Sequence, residues 1–538
     1  MFVGVDVGTG SARAGVFDAS GKLLGSHKQD IRMWREAGGI AEQSSADIWS
    51  AVCASVRGAV QRAGIAPDAV QGIGFDAACS MVVLDRDMDP LSISASKATE
   101  RNVIVWMDHR ATDQAARINA QGHDVLSYVG GRISPEMQTP KLLWIKENRR
   151  DTFAKAGQFF DLPDFLTWAA TKSLTRSACT VTCKWTYLAH ESRWDDSYFE
   201  QIGLPEMPAE DYVRIGQTIV PPGTALAQGL TDEAARAMGL TAGIPVGAGL
   251  IDAHAGGIGT VGADPNRGPE ATMAYVFGTS ACTMATSADP RKVPGIWGPY
   301  YSAMVPGMWL CEGGQSAAGE AIAHIVKHHP AGVEAAKIAA TEGLSLQAYL
   351  LREVERQTDD ISDAVRLAGP KIIVPDFLGN RAPFADPTST GIVSGQNLNV
   401  NHDDLVASYV AAVLGVGYGL RQIMEVQRIH GVCPSSIVIS GGAGESNLIK
   451  QLIADAVDAP VTAPQSPEPV LLGAAMLGAT ACQAYAALGD AMSAMSAIRQ
   501  VFVPSPGYGD VHTARFQAHK DLQKADFDLR DHLARLSA

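Results

Sequence analysis

The sequence carries little with which to hold a membrane, a nucleic acid or a disulfide framework. No run of eighteen apolar residues occurs, and the start lacks a charged segment leading into an apolar core. Neither a membrane span nor a secretory leader is therefore expected. Basic residues are in deficit: 43 Lys and Arg against 57 Asp and Glu leave a net charge of −14. Nucleic acid and anionic membrane surfaces both need a basic face, so both are argued against as partners. A small polyanion is not, because a few local cations and N–H groups can override the average field. The eight cysteines are scattered, and the one close pair, Cys179 and Cys183, has no second pair or histidine at zinc spacing. They read as small buried hydrophobes in a reducing compartment, which suits a cytoplasmic protein. A dinucleotide fingerprint is also incomplete. Gly8-x-Gly10 begins one, but Arg13 stands where the third glycine belongs and no helix follows.

What is present is a long α/β chain. Its 538 residues exceed one hydrophobic core, so two large domains or more are expected. The first eighteen residues are the most informative. Phe2 to Val7 and Ala14 to Phe17 read as strands, and Gly8-Thr9-Gly10-Ser11 between them is too short for a crossover, which predicts an antiparallel hairpin. Asp6 closes the first strand beside a turn of glycines and hydroxyls, with Arg13 adding a positive charge. An acid next to such a turn suits a phosphate with its Mg²⁺, although the turn alone fits an ordinary hairpin equally well.

Further along, Leu23 to Ile31 extends the meander, and Ser44 or Ser45 caps a helix to about Ala63. A strand over Val70 to Phe75 precedes Asp76-Ala-Ala-Cys79-Ser and a second strand, Met81 to Leu84. Trp106-Met-Asp108-His-Arg110 could hold a polyol, ring against C–H faces and charges to hydroxyls, or form an ion pair beside a core tryptophan. Glu136 to Lys146 and Asp161 to Ala170 read as helices, and Thr180 to Leu188 as extended. Lys184, in apolar company there, is either snorkelling or a ligand contact. Pro245 to Gly259 runs from an apolar strand into Asp252 and then small residues. A lone carboxylate in that setting suits a general base, a helix cap, or both.

The chain then starts again. Ala271 to Phe277, Gly278-Thr279-Ser280 and Ala281 to Ala285 echo the opening hairpin, which suggests two related lobes facing a cleft, joined near Asp264 to Pro269. Leu310 to Gly319 reads as a strand whose glycine pair opens an anion-favouring helix at Ser316. Leu346 to Gln357 and Asp404 to Ile429 read as helices, and Lys371 to Pro375 as a strand before a long ordered loop to Gly391. Ser436 to Ser440 and Gly441-Gly-Ala-Gly-Glu-Ser-Asn447 form strand and glycine turn before a helix to Val457. Pro469 to Leu488 reads as one helix.

Taken together, Asp6-Val-Gly-Thr-Gly-Ser-Ala-Arg13, Gly249-Leu-Ile-Asp252-Ala-His-Ala, Phe277-Gly-Thr-Ser280, the 377–395 loop and Ser440-Gly-Gly-Ala-Gly-Glu-Ser-Asn447 resemble the FGGY carbohydrate kinases over residues 2 to 490. The resemblance implies two ribonuclease-H-like lobes of the actin/hexokinase ATPase kind around a central cleft. Residues 1–262 would form the N-terminal lobe, 263–505 the nucleotide-binding C-terminal lobe, and 506–538 a peripheral helix. It implies ATP and Mg²⁺ as cofactors. Thr9, Gly10, Ser11 and Arg13 match the first phosphate loop and Thr279 the second. Gly314 falls near the phosphate tail, and Gly442, Ala443 and Asn447 match the adenosine motif. Asp252 matches the catalytic base and, with Asp6, faces the metal. Ala78-Cys-Ser-Met-Val82 is similar to the ribulokinase branch, departing at Ala78 and Met81; there Lys184 and Glu312 would meet the sugar, with Cys79 or Ala78 lining the pocket, and Asp252 and the Asp108 of the 106–110 group are expected beside them. The implied reaction phosphorylates the terminal hydroxyl of a five-carbon sugar, D-ribulose foremost, with ribitol, L-ribulose or a non-catalytic sensor as alternatives. The implied partner is a small sugar or polyol, and a homodimer is left open.

Overall fold

The computed structural model describes residues 1–264 and 267–537, so residues 265 and 266 of the expected lobe junction lie outside the described residues. Phe2–Val7 (β1), Ser11–Phe17 (β2) and Leu23–Asp30 (β3) form the expected antiparallel meander, with Asp6 opposite Arg13. Ser45–Ala63 (α1) follows. The Ser44 side chain accepts the Asp47 N–H at its start, and Gly64 ends it at φ 66°. Gly72–Ala77 (β4) then lies parallel to β1.

Between this sheet and its last strand, the chain builds a second sheet of short strands: Met33–Glu36, Ile40–Gln43, Met81–Asp85, Val103–Ile104 and Ala156–Asp161. Only Met81–Asp85 among these was expected, and in the first two charged residues break the apolar alternation. Ala178–Trp185 (α2) corrects the extended reading of 180–188. Ser177 caps the helix, and the Thr180 hydroxyl bonds back to the Ser177 carbonyl, so β-branched residues are accommodated in a buried turn. Val246–Ile251 (β5) completes the first sheet, in the order β5-β4-β1-β2-β3, and runs into Asp252–Val261 (α3).

The second lobe repeats this plan. Thr272–Phe277 (β6), Ala281–Ser287 (β7), Trp297–Tyr301 (β8), Trp309–Gln315 (β9), Ser436–Ser440 (β10), Val461–Pro464 (β11) and Ile498–Phe502 (β12) form one sheet ordered β8-β9-β7-β6-β10-β11-β12. Its centre, β9-β7-β6-β10-β11, has the strand order and directions of β3-β2-β1-β4-β5. Its helices include His402–Ile429 (α4), Asn447–Val457 (α5), Pro469–Ala481 (α6) and Gly509–Ser537 (α7). By length and composition α4 could cross a membrane, yet most of its apolar window is buried inside this lobe. The expected helix 469–488 stops at Ala481, where Gln483 takes a φ of 60° and a separate helix begins at Leu488.

Two helices cross between the lobes. α6, from the C-terminal half, lies on β1 and β4, while α3, from the N-terminal half, packs against β6. Their contact is nearly backbone to backbone. A Cβ on Gly473 would sit 1.9 Å from the Ala255 carbonyl oxygen, and one on Gly259 would sit 2.0 Å from that of Pro469. Small residues at these positions are what let the lobes share a common seam.

α7 lies along the outside of the C-terminal lobe but is docked by a stripe of buried His512, Phe516, His519 and Gln523. Burial pushes both imidazoles down to about 4, helped at His512 by the charges of Arg515 and Arg421. Each histidine ordinarily titrates near 6.5. Below that value the unfolded helix gains protons that the docked one refuses, so docking is complete above about pH 6.5 and lost as pH falls toward 4. The protection factors of residues 509–537, hydrogen exchange taken relative to the intrinsic amide rate at each pH, are expected to be large near neutrality and much smaller at about pH 5. Equal protection at both would contradict this account.

Candidate active site

Parallel strands β1, β4 and β5 end on one edge of the N-terminal sheet, so the residues that close them converge there. The register sets Asp6 opposite Asp76 and Leu250 opposite the same Asp76, with Asp252 following at the first residue of α3. Three carboxylates thus meet at one place. Asp6 and Asp76 are buried, while Asp252 is half-buried and accepts the Ala253 N–H at 2.7 Å. Burial and the charge of Asp6 raise the Asp252 carboxyl to about 6. The position before it, Ile251, is the helix cap, so Asp252 is not spent on capping.

Asp76 is the residue the sequence analysis passed over. Neither of its oxygens meets a hydrogen-bond donor. Burial first, then the charges of Asp6 and Asp252, hold its carboxyl well above the ordinary range, and Asp6 stands within reach to share a proton. The signal was in the sequence, since Asp76 ends an apolar strand just as Asp6 does.

Arg13 balances this cluster. Its Nε and Nη2 donate to Asp6 Oδ2 at 3.0 and 2.5 Å, and its Nη1 donates to Glu468 Oε2 at 2.9 Å, beside the start of α6. Arg13 also lines a cavity of ≈ 580 Å³ between the lobes with Gly441, Gly442, Glu445, Lys450 and Arg499. Gly442 lines it and is exposed, Asn447 is exposed at the start of α5, and the Ala443 side chain is not among those described. Gly441, at φ 92°, lies so close to β6 that a Cβ would come within 2.5 Å of the Phe277 carbonyl oxygen.

The two glycine–hydroxyl turns share one closure: Gly8 N–H donates to Ser11 O at 3.1 Å, and Gly278 N–H to Ser280 O at 2.9 Å. Gly10 and Thr279 are exposed at the tips, with Ser11 half-buried. The Thr9 hydroxyl accepts the Trp106 indole N–H at 2.9 Å, a contact that anchors the first turn to the second sheet. The expected anion-favouring helix start at Ser316 is corrected. The helix begins at Gly319, and the N–H groups of Ala318, Gly319 and Glu320 donate to carbonyls of Gly278 and Thr279. They brace the second turn instead of facing a ligand. Gly314 lies within β9 opposite Cys282.

Beside Asp252 lies a second buried polar group, whose Lys184 charge acts on the Asp252 carboxyl. Ala78 and Cys79, both buried, follow directly on β4. Lys184 on α2 and Glu312 on β9 are buried and attract one another, and Lys184 Nζ lies 5.3 Å over the Trp297 ring. Burial would raise Glu312, but the hydrogen bond from His254 at 3.3 Å and the Lys184 charge pull it down to about 2. Arg381 adds a further cation, also bonded to the Cys282 sulfur at 3.7 Å. His254 and Arg381 are contacts the sequence analysis did not single out, because residues far apart in the chain supply them. Asp108 accepts from the Ala41 N–H and from Arg110, which also reaches Glu42, so it is tied into the second sheet.

A doubled sheet with carboxylates at the strand ends of one lobe, glycine turns from both, and a cleft between them defines the two-domain actin/hexokinase-like fold. A xylulose kinase structure from Rhodospirillum rubrum superposes with a TM-score of 0.80 at 20% identity, covering 98% of this chain and 99% of that one. Residues 1–259 match the FGGY family of carbohydrate kinases, N-terminal domain, and residues 273–482 its C-terminal domain. The chain is 46% identical over 519 residues to a human FGGY carbohydrate kinase domain-containing protein, covering 94% of this chain and 92% of that one. It is 36% identical over 516 residues to a D-ribulokinase of Saccharomyces cerevisiae, covering 90% and 72%. A ribulokinase of Halalkalibacterium halodurans is 27% identical over 552 residues, covering 97% and 94%. The chain belongs to the FGGY carbohydrate kinases and is a sugar kinase.

The unpaired carboxylate of Asp76 generates an expectation. In Asp76→Asn the amide can donate to Asp6, which removes a buried acceptor without a donor, worth on the order of 1–3 kcal/mol. The variant is expected to melt above the wild type in calorimetry. A lower melting temperature would show that the acid is structurally required.

Proposed function

We propose that the protein transfers the γ-phosphoryl group of ATP to the terminal hydroxyl of a five-carbon sugar, D-ribulose foremost. The observation that carries the reading is Asp252, a half-buried carboxylate raised to about 6, set beside the buried Lys184–Glu312 pair. A base of that kind accepts the hydroxyl proton as the oxygen attacks in line. Lys184 and Glu312 offer a donor and an acceptor to the sugar's hydroxyls and carbonyl, and Ala78 and Cys79 leave room beside them. The turns at Thr9–Ser11 and Thr279, with backbone N–H groups and the cations of the inter-lobe cavity, would receive the nucleotide's phosphates. The hard oxygen donors of Asp6, Asp76 and Asp252 fit Mg²⁺ through its water shell. When bound there, the ion neutralises phosphate charge. The 36% identity to a D-ribulokinase supports the choice of sugar. Closure of the lobes about the crossed helices would exclude water from the reacting oxygen. The net charge of −14 disfavours a nuclease, and the intact Asp252 disfavours a sensor without turnover.

The test is a coupled ADP-release assay with D-ribulose, L-ribulose, D-xylulose, ribitol and glycerol. The highest kcat/KM is expected for D-ribulose, and release with none of the pentuloses or pentitols would overturn the proposal. Asp252→Asn is expected to lower kcat roughly 10²–10⁴-fold while sugar binding, read by calorimetric titration, survives. Unchanged turnover would remove Asp252 from the role of base.

A further inference from the structure

Cys179 and Cys183 stand one turn apart on α2, so both sulfurs lie on one side of that helix. That side meets the first turn of α3, which carries His254. Cys179 Sγ lies 3.1 Å from His254 Nδ1, and the donor atoms of Cys179, Cys183 and His254 all lie within 4.8 Å of one another. All three residues are fully withdrawn from solvent. A tetrahedral centre with Zn–S near 2.3 Å and Zn–N near 2.0–2.1 Å spaces its ligand atoms about 3.5–3.8 Å apart. Small side-chain rotations would bring these three to that spacing.

The surroundings fit a metal ligand set as well. His254 Nε2 pairs with Glu312 Oε2 at 3.3 Å, which fixes the ring with Nδ1 aimed at the sulfurs. The Ile251 N–H lies 3.4 Å from Cys179 Sγ and donates to it, as it would to a metal-bound thiolate. We infer that Cys179, Cys183 and His254 form a site for a borderline-soft divalent cation of the zinc class, with the fourth position left for water. The donors are sulfur and imidazole, which Mg²⁺ does not select, so this site is chemically distinct from the carboxylate cluster. Occupancy would tie α2 to α3 at the residues next to Lys184 and Asp252. The site therefore couples metal status to the geometry of the Lys184–Glu312 pair.

The probe is Co²⁺, titrated into the chelator-treated full-length protein under a thiol-free reductant. A near-ultraviolet thiolate charge-transfer band and visible tetrahedral bands are expected to saturate at one equivalent. Zn²⁺ should abolish them, excess Mg²⁺ should not, and Zn²⁺ should raise the melting temperature. Cys183→Ser is expected to weaken the band's affinity on the order of tenfold or more, while Cys433→Ser, at an exposed thiol, leaves it unchanged. A featureless titration, or a spectrum that Cys183→Ser leaves intact, would overturn the inference. Should Cys183→Ser fail to fold, alkylation of the wild type under partial denaturant decides: Zn²⁺ must slow modification of Cys179 and Cys183, and equal rates with and without it would overturn the site.

Discussion

Mutual repulsion of buried carboxylates governs this molecule. Asp6, Asp76 and Asp252 are delivered to one edge of one sheet by strand register, and the same register sets a counter-charge opposite Asp6 alone. Arg13 supplies it, reaching Asp6 from the neighbouring strand and Glu468 from the opposite half of the chain. The electrostatic arrangement therefore binds the two lobes' relative placement to the state of the acid cluster. Whatever neutralises the cluster also alters the force on the seam, which couples ligand occupancy to cleft geometry through charge as well as contact.

The fold was largely legible because its signals were local. A strand, a glycine–hydroxyl turn and a second strand specify a hairpin by pattern, and the same pattern recurs at Thr272–Ser287. The long helix α4 and the Ser44 cap were also visible, since caps and periodicity act within a few residues. Failures came where distant packing overrode local preference. Val181, Thr182 and Trp185 favour strands, yet burial on all sides makes their segment the helix α2. Charged strands such as Met33–Glu36 carry no alternation to read, because the sheet they join lies over the lobe's margin.

The site divides in the same way. Asp252, the turns at Thr9 and Thr279, and the Gly441–Gly442 approach could be placed from motifs contiguous in sequence. Asp76 could have been found by asking which other strand ends in an acid. Trp106 against Thr9, and His254 between Cys179 and Glu312, could not, because each contact joins segments between 58 and 97 residues apart. Asp108 stood in the sequence between a polyol contact and an ion pair, and its hydrogen bonds to Arg110 match the second.

The exchange of helices at the seam has a consequence for how this polypeptide could have arisen and how it must mature. The sheet of the first half is roofed by α6, made some 200 residues after its last strand, while α3 is roof for the half that comes later. Neither half owns a complete hydrophobic interior. During synthesis the leading portion must wait, with a bare apolar face, until the trailing portion emerges. Ancestral duplication of one such unit would have been viable only as a pair of copies embracing each other.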